Sequence, residues 1–130
     1  MITASLNNYR QSPRKVRLVA NLVRGKSIEQ ALYILKFTSK KATHPLYGLV
    51  ESAAANAQNN FKIDPATLIV KEIRVDSGVT LKRRMPRARG SAYPINKRCS
   101  HVLLVLAPKP EKKNKKVAGK VAKPANVATK

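Results

Sequence analysis

Few residues of this chain have the types and spacing that catalysis requires. Cys99 and His101 lie two positions apart and would share one face of a strand, where they could form a thiolate pair or half of a metal site. Cys99 is the only cysteine and His44, the other histidine, is distant, so the ligand set is incomplete. We therefore predict no catalytic residue, no metal and no cofactor, and a structural or ligand-contacting role for Cys99 and His101.

The six acidic residues form no close pair suited to general acid and base catalysis. Glu72 and Asp76 are instead interpreted as charge partners of Lys71 and Arg74. Gly25-Lys26-Ser27 looks like the end of a phosphate-binding loop, but that motif needs a glycine five positions earlier, where this chain has Ala20. The sequence therefore excludes this kind of nucleotide site.

The strongest chemical signal is positive charge between residues 81 and 90, a segment with no acidic residue and five cations: Lys82, Arg83, Arg84, Arg87 and Arg89. Cations without interleaved aromatic residues favour contacts to phosphates and recognition of shape over stacking on bases. The alternative is a solvated basic loop, which has no reason to exclude acids over such a length.

The whole chain has the same bias, with 27 Lys and Arg against 6 Asp and Glu in 130 residues, a net charge of +21. A chain with this charge repels itself strongly unless a polyanion supplies counter-charge. Nucleic acid is the favoured partner, and an anionic membrane surface is the second choice. No apolar run approaches the ~18 to 20 residues that span a bilayer. The length predicts one domain, and the lone cysteine fits the reducing cytoplasm.

The elements that position these charges can be predicted from the spacing of apolar residues. Ile2, Ala4 and Leu6 alternate as in a short strand. Ser12 and Pro13 then open a helix that ends at Gly25. Its buried stripe is Val16, Val19, Ala20 and Val23, and its cationic stripe contains Arg14, Arg17 and Arg24.

Two further helices are predicted before the sheet resumes. Ser27 and Gln30 form a capping box for a second helix with Ile28, Ala31, Leu32 and Leu35 towards the core. The third has an apolar side of Leu46, Leu49, Val50, Ala53 and Ala57. Because of Pro45, this helix either starts near Thr43 or starts at Ser39 and bends.

From Leu68 onward the apolar period becomes two, with Ile69, Ile73 and Val75 on one side, and residues 102–106 predict a strand paired with it. Residues 79–98 between them have almost no apolar content, so we predict a hairpin projecting about 33 Å, with a turn at Gly90. Pro86 and Pro94 predict irregular pairing towards its tip.

The predicted fold class is therefore α+β, with three helices packed on a small antiparallel sheet and a long protruding basic β-hairpin. Residues 1–108 form the single domain, with residues 79–98 as its extended hairpin. Residues 109–130 form a basic tail rich in Lys, Ala and Pro, with eight lysines.

Four segments resemble one known family: SPRKVRLVANLVRG (12–25), QALYIL (30–35), ESAAAN (51–56) and, above all, VDSGVTLKRRMPRARGSAYPINKRCSH (75–101). In register over roughly residues 9 to 106, they are similar to the bacterial family of large-subunit ribosomal protein twenty-two. The most specific elements are KR-x-MPRA-x-G and KR-x-SH.

The resemblance implies an α+β body on the ribosome near the polypeptide exit and a hairpin that runs through ribosomal RNA to the exit tunnel. By position, Leu81-Lys82-Arg83 matches the segment whose loss confers macrolide tolerance in the family. Lys97, Arg98, Ser100 and His101 match the returning arm. The residues matching the tunnel-lining tip are Arg87, Ala88, Arg89, Gly90, Ser91 and Ala92.

We therefore predict a structural constituent of the large ribosomal subunit that supports assembly and lines the exit tunnel. The expected partners are large-subunit ribosomal RNA, neighbouring ribosomal proteins and the nascent polypeptide, with no membrane and no homo-oligomer, and the expected location is the ribosome in the cytoplasm. The alternative is a free regulatory or chaperone-like nucleic-acid-binding protein. The predicted RNA-binding residues are Arg10, Arg14, Lys15, Arg17, Arg24, Lys26, Lys40, Lys41, Lys82, Arg83, Arg84, Arg87, Arg89, Lys97, Arg98, Ser100 and His101.

Overall fold

Three helices lie on one antiparallel sheet in the computed structural model, which describes residues 2–109. The sheet has the order β1-β3-β2, so the last strand in the chain is the central one. The predicted α+β architecture is confirmed. The elements are β1 (Ile2–Tyr9), α1 (Pro13–Val23), α2 (Ile28–Phe37), α3 (Thr43–Phe61), β2 (Leu68–Pro86) and β3 (Ala92–Pro108), with 3-10 turns at Pro65–Thr67 and Ala88–Gly90.

Helix α1 follows the sequence prediction closely. Pro13 is its first residue, where the missing N–H has no helical partner to lose. Gly25 follows the helix with a φ of +75°, a conformation that glycine adopts without strain. The predicted apolar stripe is confirmed as core, because each of its members is buried: Val16, Val19, Ala20 and Val23.

Helices α2 and α3 complete the layer above the sheet. The Gln30 N–H donates to Ser27 Oγ at 3.4 Å, which confirms half of the predicted capping box. Helix α3 begins at Thr43, the first of the two predicted starts, which places Pro45 in the first turn. The N–H groups of a first turn have no helical acceptor, so proline is tolerated there without a bend.

A bulge in β2 changes the predicted inward side of that strand. Val70 pairs with Leu106 and Glu72 with Val105, which leaves Lys71 as an extra residue and reverses the alternation. The prediction that Ile69 shares a side with Ile73 and Val75 is therefore wrong. The inward-facing residues of β2 are Leu68, Val70, Ile73 and Val75, all of them buried.

The protruding hairpin consists of the parts of β2 and β3 that extend past β1. The last pair between β1 and β3 is Tyr9 with Ser100, whereas β2 and β3 continue from Thr80↔Arg98 to Pro86↔Ala92. The register is uninterrupted over this stretch, so the prediction of irregular pairing near the tip is wrong. Seven residues per arm correspond to about 24 Å, shorter than expected because the root belongs to the body.

The prolines do not disturb the hairpin because the arms form a two-stranded ribbon with two free edges. A strand in such a ribbon has a partner on one side only, and an edge position tolerates the missing N–H of a proline. Within residues 2–109 no helix combines the length and the apolar character needed to cross a bilayer.

Candidate nucleic-acid interface

A cleft of about 550 Å³ lies where the hairpin leaves the body. Its cationic lining comes from four separate segments, namely the loop after β1, helix α1, the loop before α3, and β3. None of the residues that line it is acidic. The fold therefore brings together five of the predicted RNA-binding residues: Arg10, Lys15, Lys41, Lys97 and Arg98.

A second cleft of about 500 Å³ adjoins the first through Arg98, which lines both. Its other cations are Arg14 and Arg17 on α1, and it too contains no acidic residue. We call these two clefts together the root clefts. Cations that converge in this way repel one another, and a polyanion placed between them relieves the repulsion.

Arg17 and Arg24 also have a structural task that the sequence did not reveal. Arg17 donates from Nε and Nη2 to the carbonyl oxygen of Val75 at 3.1 and 2.7 Å. Arg24 Nη2 donates to the carbonyl oxygen of Ile73 at 3.0 Å. Both carbonyls lie on the outer edge of β2, so the cationic stripe of α1 satisfies groups that an edge strand leaves open.

The charge next to this edge is mixed, unlike that of the root clefts. A cleft of about 540 Å³ between α1 and β2 includes Lys71 and Arg74 together with Glu72 and Asp76. Arg74 pairs with Glu72 at 3.1 Å, which confirms one of the predicted pairs. Among residues 2–109 this is the only ion pair within 4.0 Å, so the pairing predicted for Asp76 and Lys71 is not formed. The root clefts and the hairpin differ from this cleft because they contain no acidic residue.

Lys26 and Lys40 are exposed, but they line neither root cleft. The carbonyl oxygen of Lys26 accepts the Val70 N–H at 2.9 Å, which joins the turn after α1 to β2. The carbonyl oxygen of Lys40 accepts from Thr43 Oγ1 at 2.6 Å, close to the start of α3. The structure thus assigns the backbones of both residues to the scaffold and leaves their side chains in solvent.

Strand alternation gives the hairpin two different faces. Residues paired directly across the ribbon share a face, so Lys82 and Arg84 lie with Arg98 on the side of the helices. The opposite face contains nearly all the apolar side chains of the arm, flanked by Arg83 and Lys97. These apolar residues are Leu81, Met85, Tyr93 and Ile95, which are half-buried or exposed.

The tip is closed by a tight turn. Arg89 and Gly90 both have positive φ, at 56° and 71°, and the Arg87 N–H donates to the Ser91 carbonyl oxygen at 2.9 Å. The predicted turn at Gly90 is confirmed. The Arg87 guanidinium lies 5.4 Å from the centroid of the Tyr93 ring, a distance typical of a cation–π contact. The tip therefore presents cations on a tight turn.

Ser100 and Cys99 occupy positions unlike those of the other predicted site residues. Ser100 is completely buried on the inward face of β3, so its predicted contact with RNA is incompatible with this fold. The alternation that turns Val102 and Leu104 inward also turns Ser100 inward. Cys99 is buried as well, and no group of three potential metal ligands occurs among residues 2–109.

Tyr9 supports the root clefts in a way that the sequence analysis missed. Its hydroxyl donates to the carbonyl oxygen of Lys41 at 3.1 Å. This hydrogen bond connects β1 to the loop before α3, whose Lys41 lines the first root cleft. Partial burial raises the pKa of the Tyr9 phenol above its ordinary value of 10.0. Its place at the end of an alternating strand was visible in the sequence, but its partner is 32 residues away.

Comparison with known proteins shows which family this chain resembles. The family model described as ribosomal protein L22p/L17e matches residues 4–107. The chain belongs to this family. All predicted interface residues, from Arg10 to His101, lie within the matched range.

Relatives of similar length support the assignment. The chain is 54% identical over 102 residues to the large ribosomal subunit protein uL22 of Desulfitobacterium hafniense strain Y51. The aligned residues cover 78% of this chain and 90% of the relative. It is 47% identical over 108 residues to the protein of the same name from Pediococcus pentosaceus, covering 83% of this chain and 92% of the relative.

Proposed function

We propose that this protein is a structural component of the large ribosomal subunit, that its root clefts and hairpin bind large-subunit ribosomal RNA, and that the hairpin tip lines the polypeptide exit tunnel. Membership of a ribosomal protein family supports the first part of the proposal. The names of the relatives, which are large-subunit proteins, support it further.

The observation that carries RNA binding is the convergence of cations in the root clefts without any acidic residue. Lys and Arg side chains from α1, β1 and β3 can neutralise phosphates that folded RNA holds close together. Few aromatic side chains accompany them, so the mechanism is contact with phosphates and complementarity of shape rather than stacking on bases. Counter-charge from RNA also removes the repulsion among the cations.

The hairpin extends this contact away from the body. Its length of about 24 Å, its narrow two-stranded form and the absence of acids suit insertion between RNA segments. At the end of the arm, the tight turn from Arg87 to Ser91 presents backbone and cationic groups to a chain that passes the tip. This supports contact with the nascent chain at that point.

Binding to RNA can be tested by removing equal charge from two surfaces. Lys15→Gln with Lys97→Gln changes the root clefts, whereas Lys36→Gln with Lys62→Gln removes the same charge elsewhere. We expect only the first variant to bind ribosomal RNA with a shallower salt dependence, by up to about 0.9 log-log units per lost phosphate contact on the duplex-DNA scale. Equal slopes for the two variants would contradict the proposed interface.

Assembly into the subunit distinguishes the proposal from a free regulatory or chaperone-like binder. A structural component should remain with large subunits during sedimentation at high salt, whereas a peripheral binder should dissociate because its contacts are screened. We would measure the fraction of tagged protein that sediments with large subunits between low and high salt. Complete release at high salt would favour the free binder.

Contact with the nascent chain requires a separate test. A photo-crosslinking amino acid at Ser91 should form a covalent product with a stalled nascent polypeptide. The same group at the exposed Gln30 on α2, away from the hairpin, serves as the control. A product from Gln30 but not from Ser91 would refute the tunnel position of the tip and leave RNA binding by the root clefts standing.

A further inference from the structure

The central strand β3 is flanked by irregularities on both sides at the root of the hairpin. In β1, the register shifts between Leu6 and Tyr9, so that Asn7 and Asn8 stand opposite His101. In β2, the register shifts between Ser77 and Thr80, so that Gly78 and Val79 stand opposite Cys99. Both bulges lie where the three-stranded sheet becomes a two-stranded ribbon.

The His101 side chain reaches both bulges. Its Nδ1 accepts the backbone N–H of Asn8 at 3.2 Å, and Asn8 has a φ of 56°. On the other side the imidazole lies against Gly78. A Cβ added there would be 2.8 Å from His101 Nε2 and 3.2 Å from Cδ2. Only a glycine therefore leaves room for the ring in this position.

We propose that His101 is a positioning residue that sets the direction in which the hairpin leaves the body, because its imidazole connects the bulge of β1 to that of β2. This inference rests on the proposed function. Ile2 and Ala4 anchor β1 in the core, whereas β2 continues into the arm. The ring therefore links a fixed strand to the strand that carries the hairpin.

A fixed direction matters because a bulge bends a strand and increases its local twist. Two bulges at one level, without a link between them, would let the arm adopt a range of angles. An arm that already points correctly loses less conformational freedom when RNA binds, which increases affinity without any new contact. His101 thus acts on RNA binding through the arm and needs no contact with RNA.

The chemistry of the link determines which substitutions are informative. Nδ1 can accept a hydrogen bond only when it carries no proton, so the neutral ring must carry its proton on Nε2. His101→Leu removes the acceptor and keeps an apolar side chain of similar size. His101→Asn retains an acceptor near the position of Nδ1. Nitrogen chemical shifts of the ring should show the Nε2–H tautomer, and the opposite tautomer would refute the link to Asn8.

The decisive experiment asks whether the effect of His101 depends on the arm. We would measure affinity for ribosomal RNA with His101→Leu alone, combined with Lys82→Gln and Arg84→Gln on the arm, and combined with Arg14→Gln and Lys15→Gln on the body. We expect His101→Leu alone to lower the affinity for RNA about tenfold. The same substitution should lower it by a factor at least threefold smaller in the arm background, and by the full factor in the body background. His101→Asn should recover most of the affinity.

Several outcomes would overturn the inference. An equal loss in both backgrounds, or no loss at all, would mean that His101 does not act through the arm. If the unchanged protein does not bind ribosomal RNA, the proposed function fails, and the geometry is then tested in the free protein. Spin labels on unnatural amino acids at Gln30 and Lys97 should give a distance distribution at least twofold wider in His101→Leu, and an unchanged width would refute the link.

The Gly78 side provides a second test of the contact with the imidazole ring. Gly78→Ala should weaken RNA binding because its Cβ displaces the ring. His101→Ala removes the same link, so we expect the double variant to bind no more weakly than the weaker of the two single variants. A double variant that shows the sum of both losses would contradict the proposed contact.

Discussion

Arginines on a single helix face perform two tasks in this protein. The Arg14 side chain makes no hydrogen bond within residues 2–109, whereas the side chains of Arg17 and Arg24 donate to backbone carbonyls of β2. A guanidinium has five N–H donors, and Arg17 uses those of Nε and Nη2, which leaves Nη1 for a phosphate. The same side chain can therefore seal the sheet edge and contribute to the interface.

Replacing Arg17 separates these tasks because lysine keeps the charge and loses the fork geometry. We expect Arg17→Lys to lower the free energy of unfolding by about 1 kcal/mol, since two partly buried hydrogen bonds cannot both be replaced. Arg14→Lys, the control, should change it by less than about 0.5 kcal/mol. Urea denaturation measures both, and equal effects would show that the contact with Val75 contributes nothing.

Tyr9 should make stability depend on pH in the alkaline range. Its pKa is raised in the folded protein, so the unfolded chain loses the phenolic proton first as the pH rises. The stabilisation is therefore complete below the ordinary pKa of 10.0 and is lost as the pH rises through the folded value. Unfolding from pH 9 to 11 should show a steeper loss in the unchanged protein than in Tyr9→Phe, and identical slopes would contradict this.

At the scale of elements, the body and the hairpin are held together by different forces. The inward side chains of β1, β2 and β3 pack under the three helices. No residue of the arm from Thr80 to Arg98 is buried. Thr80 and Leu81 are half-buried, and the others are exposed. A two-stranded ribbon without a covered face is marginal in water, because cross-strand pairs alone supply little stabilisation. Beyond its root, the arm therefore depends on a ligand for stable pairing, whereas His101 acts at the root itself.

Amide exchange in the free protein tests this dependence. We expect residues 81–93 to exchange rapidly without RNA and to become protected in the complex, whereas Val102 and Leu104 in the core remain protected in both. The core strands serve as the internal control. Strong protection of the arm in the absence of RNA would show that it is stable by itself.

Deleting Leu81-Lys82-Arg83 should leave the body folded, since no fully buried side chain is lost. Removing three residues also reverses the alternation of the remaining arm, so Arg84 would change face. A two-residue deletion of Lys82-Arg83 preserves the alternation and serves as the control. We expect both variants to melt within a few degrees of the unchanged protein, and a large drop would place the arm in the core.

At the scale of the whole molecule, the apolar core stabilises the fold while the net positive charge destabilises it. The 43% of hydrophobic residues supply a core under one face of the sheet, while a net charge of +21 is distributed over the surface, the hairpin and the tail. Such a surface destabilises the free protein by self-repulsion. Binding to a polyanion therefore stabilises the fold as well as the complex.

Residues 110–130 of the predicted tail, which begins at residue 109, lie outside the described residues, so the tail stays a prediction. The Lys109 N–H donates to the Thr67 carbonyl oxygen at 2.8 Å, so the backbone of Lys109 belongs to the body. A truncated variant that tests the tail should therefore end at Lys109. Removing residues 110–130 should weaken RNA binding at low salt and flatten the salt slope, because flexible lysines act as point charges without a fixed site.

Incorporation of the truncated protein into subunits should survive. Salt-series binding measurements and an in-cell incorporation assay check the two statements separately. An unchanged slope would mean that the tail makes no phosphate contact. Failed incorporation would mean that the tail carries information about the site.

The sequence alone determined the elements of this fold and its cationic character. Apolar spacing identified the buried stripe of α1, the inner face of α3 and two paired strands, because burial selects side chains at the period of each element. Net charge and the acid-free arm indicated a polyanionic ligand, since charge is additive along the chain.

Only the tertiary structure decided which cations lie together in the clefts and which ones form hydrogen bonds to the backbone. The root clefts join residues from Arg10 to Arg98, a convergence that requires the strand order β1-β3-β2. Bulges are invisible to a regular period, so the sequence misplaced Ile69 and did not reveal the contact of His101 with Asn8 and Gly78. Long-range register depends on how distant strands pair, and local spacing contains no information about that pairing.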